Sequence, residues 1–258
     1  MGLFLRLKTI SLISFITVLF LVHAPDFSSG FSQPGWVKPG AYVEYGCNVT
    51  VYKGAPYAPS SGTFRWTVVN VTGGKIYVLY EMRIEDLSLE KTLVVDAETN
   101  RILSIDGESV GNITNYLWLS YIPRIGGFIQ LEDLMAEVVD LRKFSSRLFT
   151  NRTCWVTNAT FSIANVNAGD LKNATMEGFI ERMYDSETGI LVYSRFLIEF
   201  KGSDGKVTQS YFSRIVISST NIEELSGRRP AVIPMTVAAV FIVAVLLLAR
   251  RILHIGLV

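Results

Sequence analysis

An antiparallel β-meander carrying one packed helix, followed by a membrane span, is the architecture that this sequence predicts. Three observations predict it: apolar residues alternate with period two through most of the middle of the chain, one stretch there has helical spacing, and an uncharged apolar run lies near the C-terminus. The 258 residues are 49% hydrophobic and 18% charged with a net charge of +1. That composition excludes a disordered chain, a collagen and a polybasic nucleic-acid binder.

Residues 1–30 are expected to form a signal peptide or N-terminal anchor with its linker. Arg6 and Lys8 precede a mostly apolar stretch from Thr9 to Val22, and His23, Ala24, Pro25 and a Ser/Gly segment follow. This is the order of a secretory signal, with cleavage expected after Ala24 or Gly30. The same residues read as an uncleaved anchor if Arg6 and Lys8 snorkel to the interface.

Residues 228–251 are expected to form a transmembrane helix. Val232 to Ala249 contains no charge, and Arg228, Arg229, Arg250 and Arg251 flank it. At about 1.5 Å per residue this run just crosses a hydrocarbon core of roughly 30 Å. Two arginines on each side leave the positive-inside count undecided, so the orientation follows from the signal. Residues 31–227 are thereby exported, and 252–258 form a short cytoplasmic tail.

Sequons point the same way. Asn48, Asn70, Asn112, Asn151, Asn158 and Asn173 each stand two residues before a Thr, giving six acceptor sites against about 1.7 expected from composition. Asn and Thr are common in turns and at strand ends, which accounts for part of the excess. A glycosylated, extracellular main domain on a single-pass cell-membrane protein accounts for the rest.

Within the exported region, Phe64, Trp66 and Val68 alternate with Arg65 and Thr67, and Ile76, Val78, Tyr80, Met82 and Ile84 alternate with polar residues. The Thr72-Gly73-Gly74 turn joins them into a hairpin. Ile190, Val192, Phe196, Ile198 and Phe200 form a second alternating group, and Val207, Tyr211, Ile215 and Ile217 a third, across a Gly202-Ser203-Asp204-Gly205 turn. Between the groups, Leu131, Leu134, Met135, Val138 and Leu141 recur at helical spacing, predicting one amphipathic helix on the sheet. Tyr116 to Ile122, closed by Pro123, reads equally as a strand or as a hydrophobic lip over the sheet.

Two segments resemble each other, Asp96-Ala97-Glu98-Thr99-Asn100 and Asp185-Ser186-Glu187-Thr188-Gly189. In each, Asp can accept from the backbone ahead of it and Asn or Gly tolerates positive φ at the end. Turn chemistry explains them without an active site, and a duplicated half-domain is the further reading they raise.

Cys47 and Cys154 are the only cysteines and both are exported. In an oxidising compartment they are expected to form a disulfide, closing a loop of about 100 residues that adds roughly 4 to 5 kcal/mol in the chain-entropy model. Setting aside the charged residues of the two ends leaves 18 basic against 22 acidic residues, a net of −4 that does not attract nucleic acid.

The chain has two histidines, His23 and His254, and neither lies in the exported region. Serine or cysteine catalysis through histidine and histidine-ligated zinc are therefore excluded there. No P-loop or dinucleotide-binding glycine motif occurs, so no cofactor is expected. Carboxylate-only catalysis would need paired acids. The adjacent pairs Glu85/Asp86, Glu132/Asp133 and Glu223/Glu224 are read as solvated faces, and no catalytic or metal-binding residue is assigned.

The segment Trp36-Val37-Lys38-Pro39-Gly40-Ala41-Tyr42-Val43-Glu44-Tyr45, the Tyr184-to-Gly189 hairpin and the single C-terminal anchor resemble a loose group of archaeal membrane-anchored cell-surface proteins of unknown function. The meander with one packed helix is similar in plan to the half-barrel of lipoprotein carriers of the LolA and LppX type, and this similarity implies a hydrophobic concavity. The sequence thus predicts a non-enzymatic interaction or scaffolding module near the membrane, with an envelope protein, a glycan or a lipid as partner. The alternative is a carrier or sensor of a hydrophobic ligand or glycan on a concave β-sheet, with Trp36, Trp66, Trp118 and Trp155 as stacking groups.

Overall fold

The computed structural model describes residues 34–226, except 54–59, 86, 122 and 169–170. The expected signal or anchor (1–30), the expected span (228–251) and the inner tail lie outside the described residues. Among the described residues no helix is long and apolar enough to cross a membrane.

Twelve strands follow one another: β1 (Tyr42–Lys53), β2 (Ser60–Thr72), β3 (Lys75–Ile84), β4 (Leu87–Asp96), β5 (Arg101–Ile105), β6 (Glu108–Thr114), β7 (Phe128–Leu131), β8 (Leu134–Phe144), β9 (Arg152–Ala168), β10 (Leu171–Asp185), β11 (Leu191–Lys201) and β12 (Val207–Thr220). A short α1 (Glu223–Ser226) follows. They form one antiparallel sheet in the order β6-β5-β4-β3-β2-β1-β12-β11-β10-β9-β8-β7. Each half is a six-stranded meander, and β1 and β12 join the halves at the centre. The outer strands β6 and β7 meet at one point, where Thr114 and Glu132 exchange backbone hydrogen bonds of 3.1 and 2.9 Å.

Period-two patterning sets the inner face. Val43 and Tyr45 of β1, Phe64, Trp66 and Val68 of β2, Ile76 and Val78 of β3, and Leu93 and Val95 of β4 all point into one core, with Tyr184 and Ile217 from the other half. The predicted hairpins at Thr72–Gly74 and Gly202–Gly205 are present as β2–β3 and β11–β12.

The predicted amphipathic helix over 131–141 is a correction. Leu131 ends β7, Glu132 turns with φ 59°, and Leu134 begins β8. Ala136 and Val138 are buried while Met135 and Leu141 are exposed, so the stretch alternates as a strand does. Leu131, Leu134, Val138 and Leu141 keep helical spacing only because a turn separates 131 from 134 and a bulge follows Val138, and pairing of β8 with β9 along Glu137 to Phe144 decides for the strand. The helix in the described residues is the four-residue α1, whose Leu225 is fully buried.

The expected Cys47–Cys154 bridge is also not formed: both are buried free thiols. Cys47 is on β1 and Cys154 on β9, with β12, β11 and β10 between them. At about 4.8 Å per strand, four steps exceed the roughly 5.5 to 6 Å Cα separation of a disulfide. Cys47 Sγ lies 3.9 Å from Ser213 Oγ, and Cys154 Sγ lies 3.6 Å from the Arg152 carbonyl oxygen. Burial pushes the Cys47 thiol up and the Cys154 thiol up to about 12, so neither is ionised at neutral pH.

Candidate functional site, the inner face of the sheet

Along the strand direction the inner face has a filled end, a polar belt and an open end. The filled end is where β1 begins and β12 finishes. Trp36, Trp66 and Trp118 meet there with ring centroids 5.5 to 5.7 Å apart. Trp36 Nε1 donates to the Thr188 carbonyl at 2.8 Å, Trp66 Nε1 to the Tyr45 hydroxyl at 3.2 Å, and that hydroxyl to the Leu191 carbonyl at 2.8 Å.

The undecided segment after Tyr116 is the filling itself. Leu117, Trp118 and Leu119 are buried, and the backbone pairs with the β10–β11 turn through Leu119 N to Gly189 O (2.8 Å) and Leu191 N to Leu117 O (3.0 Å). Asn115 and Asn100, both buried, exchange side-chain and backbone hydrogen bonds that fix the other side of the segment. Gly189 is required here: a Cβ at this position would stand 2.3 Å from the Leu119 carbonyl oxygen, and its φ is +73°.

The belt comes next. Strand pairing aligns Cys47, Ile215, Ser194, Arg182 and Thr157 in one row across β1, β12, β11, β10 and β9. Arg182 donates to Glu132 Oε2 at 2.7 Å, and its guanidinium lies 4.8 Å over the Tyr116 ring. Burial alone would pull the Arg182 pKa down, but the Glu132 carboxylate more than reverses this and the side chain stays charged. Burial likewise pushes Tyr80 up to about 12 and holds Tyr116 and Tyr184 well above the ordinary tyrosine value, so these hydroxyls stay neutral.

Beyond the belt the inner face is largely apolar and, among the described residues, only partly covered. The successive rows are Val49, Ser213, Phe196, Ile180 and Ala159, then Tyr211, Ile198, Gly178 and Phe161, then Phe200, Met176 and Ile163. The other half adds Met82 and Ile84 of β3 and Leu87 and Leu89 of β4. Val49, Met82, Ile84, Leu87, Leu89, Phe161, Ile163 and Phe196 are all only half-buried. The Phe161 ring lies across the bare backbone of Gly178, where a Cβ would approach its atoms to 2.1 Å.

The sequon asparagines fall elsewhere. Asn48 and Asn70 are exposed, on the opposite face from Cys47 and from Val68. Asn151 and Asn173 are exposed with φ of 55° and 53°. Asn158 pairs with Glu181 on β10, and its Oδ1 is buried without a hydrogen-bond partner. Asn112 is in β6.

Of the acidic pairs read as solvated, Glu132 is instead 13% exposed and paired with Arg182. Sequence reasoning missed Arg182, although a signal was present: in β10 it is the lone charge on a stripe of Met176, Gly178, Ile180 and Tyr184.

No family model and no curated protein matches the chain. Among solved structures it is similar to a putative outer-membrane lipoprotein-sorting protein domain from Vibrio parahaemolyticus, at 11% identity over 73% of this chain and 86% of that one, with a TM-score of 0.22. It is also similar to a DUF1329 family protein from Desulfovibrio piger, at 11% identity over 72% and 86% of the two chains, with a TM-score of 0.23. Likenesses at this level assign this chain no ligand and no activity.

Proposed function

We propose that the exported domain is a non-catalytic binding module that holds a hydrophobic ligand on the inner face of its sheet. One observation carries this reading: the eight apolar side chains from Val49 to Phe196 named above face inward yet are only half-buried, while the opposite end of the same face is filled by Trp36 and residues 117–119. Leaving such side chains exposed forgoes about 25 cal/mol per Å² of burial, and an apolar ligand would recover it. On this reading the protein is a single-pass, glycosylated cell-surface protein, and Asn48, Asn70, Asn151 and Asn173 are the first glycan acceptors to test.

The test is purification of the tagged full chain from solubilised membranes, with bound lipids and proteins identified together. A stoichiometric lipid, lost when Phe196→Arg and Met82→Arg charge the wall, is the expected result. Recovery of one envelope protein with no lipid would replace this reading by a scaffolding role. Turnover of a substrate, abolished by substituting a single carboxylate, would overturn both. Protease treatment of intact cells checks the topology: digestion of residues 31–227 only after lysis would refute export.

A further inference from the structure

The belt carries chemistry that a purely apolar ligand would not need. The Arg182 side chain is 7% exposed, and its Nε is buried with no hydrogen-bond partner while Nη2 holds Glu132. Thr157, Ser194 and Cys47 in the same row and Ser213 in the next are buried as well. Burying a guanidinium with an unused N–H is costly in an apolar surrounding, so a structure that keeps one has a use for it or loses stability to it. The apolar side chains begin one row further on, at the buried Ile180, and run to the buried Met176, with the half-buried Phe196, Phe161 and Ile163 in the same rows. From Arg182 to Met176 the strand covers about 20 Å at ~3.4 Å per residue, close to the length of an extended alkyl chain of about sixteen carbons.

We propose that Arg182 receives the anionic head, a carboxylate or a phosphate monoester, of a single-chain amphiphile whose alkyl chain lies along the wall toward the open end. This rests on the apolar-ligand reading above and adds the head group to it. Glu132 balances Arg182 while the site is empty and competes with the incoming anion for the same guanidinium. Planar, bidentate recognition of carboxylate or phosphate is what a guanidinium offers over any other cation.

The experiment uses the full chain held in amphipol, with protein-free amphipol as blank, and measures direct binding of radiolabelled oleate, oleoyl lysophosphatidate and oleyl alcohol. The alkyl chain is the same in all three and only the head differs. The native protein is expected to prefer one or both anions over the alcohol by about tenfold or more, and the two anionic probes separate a free fatty acid from a phospholipid source. Glu132→Gln should raise affinity for the preferred anion relative to that for the alcohol. Glu132→Gln/Arg182→Met, which removes both charges together, should bring the anion and the alcohol to within about twofold while alcohol binding persists. Persistent alcohol binding also shows that the double variant is folded. Equal affinity of the native protein for anions and alcohol would overturn the head-group assignment alone. Binding of none of the three would overturn the apolar-ligand reading beneath it.

Discussion

The two Asp-x-Glu-Thr turns stand at the same place in each half of the sheet, between the fourth and fifth strands, and they are built alike. Asp96 Oδ1 accepts from Thr99 N at 2.7 Å and Thr99 Oγ1 at 2.8 Å, while Asp185 Oδ2 accepts from Thr188 N at 2.9 Å and Thr188 Oγ1 at 2.7 Å. The next residue binds back to a neighbouring segment in both, Ala97 N to Gly74 O of the β2–β3 turn at 2.8 Å and Ser186 N to Thr153 O of β9 at 2.9 Å. The carbonyls of Asn100 and Gly189 each accept from the stretch around the filling segment, from Asn115 N just before it and from Leu119 N within it. Their surroundings differ. Asp185 is 1% exposed and clasped by Arg152, with Nε 2.6 Å from Oδ1 and Nη2 3.0 Å from Oδ2, whereas Asp96 is half-buried. The shared motif dictates the hydrogen bonds of the turn, and burial decides how much stability rests on them.

The sharpest way to break this comparison is to remove each aspartate and follow unfolding of the full chain in urea by tryptophan fluorescence. Asp185→Ala is expected to cost about 3 to 5 kcal/mol, because it opens a buried ion pair and leaves Arg152 with the exposed Glu187 as its remaining carboxylate beside the Glu224 carbonyl. Asp96→Ala should cost about 1 kcal/mol, the loss of turn hydrogen bonds at a wetter site. Equal costs would mean that the turn, and not its burial, carries the energy.

The last residue of each turn gives a smaller contrast. Gly189→Ala is expected to lose about 2 to 3 kcal/mol, since a side chain there meets the Leu119 carbonyl at a positive φ. Asn100→Gly keeps the backbone freedom and loses only the amide contacts to Asn115 and the Trp118 carbonyl, about 1 to 2 kcal/mol. A thermal melt of both variants ranks them, and a milder Gly189→Ala would show that the filling segment can shift.

The smallest effect is in acid. Burial pulls the Asp96 carboxyl up, but donors from Thr99 and Glu98 and the nearby Arg101 more than reverse this and hold it below the usual carboxylate value. A carboxyl depressed in the folded state stabilises above the unfolded pKa, about 4, and that contribution fades as pH falls through the folded value. The stability difference between the native protein and Asp96→Asn should therefore be largest at neutral pH and shrink below about pH 4. A constant difference across that range would show that Asp96 acts only through shape.

Much of the meander was legible from residues alone, because alternation in β2, β3, β11 and β12 and their glycine turns are local signals. The stretch 131–141 reads as helical because the two-residue turn inside it carries no glycine: Glu132 itself takes φ 59° between β7 and β8. Strand order was not legible. That β1 pairs with β12, and so joins two meanders into one face, depends on contacts about 170 positions apart, which no local pattern reports. The belt was hidden for the same reason, since Arg182 on β10 and Glu132 in the β7–β8 turn are 50 positions apart in sequence.

Both tails of the described domain leave from the filled end: Asn221 bonds the backbone of Gly40 and Tyr42, tying the first and last segments side by side. Gly40 and Asn221 therefore lie at one pole of the described sheet, and the Gly202–Gly205 turn lies at the other, the length of β12 away. For engineering, a surface attachment placed beside Gly40 or Asn221 would hold the tryptophan end of the domain to a support and leave the Gly202–Gly205 end facing the flow.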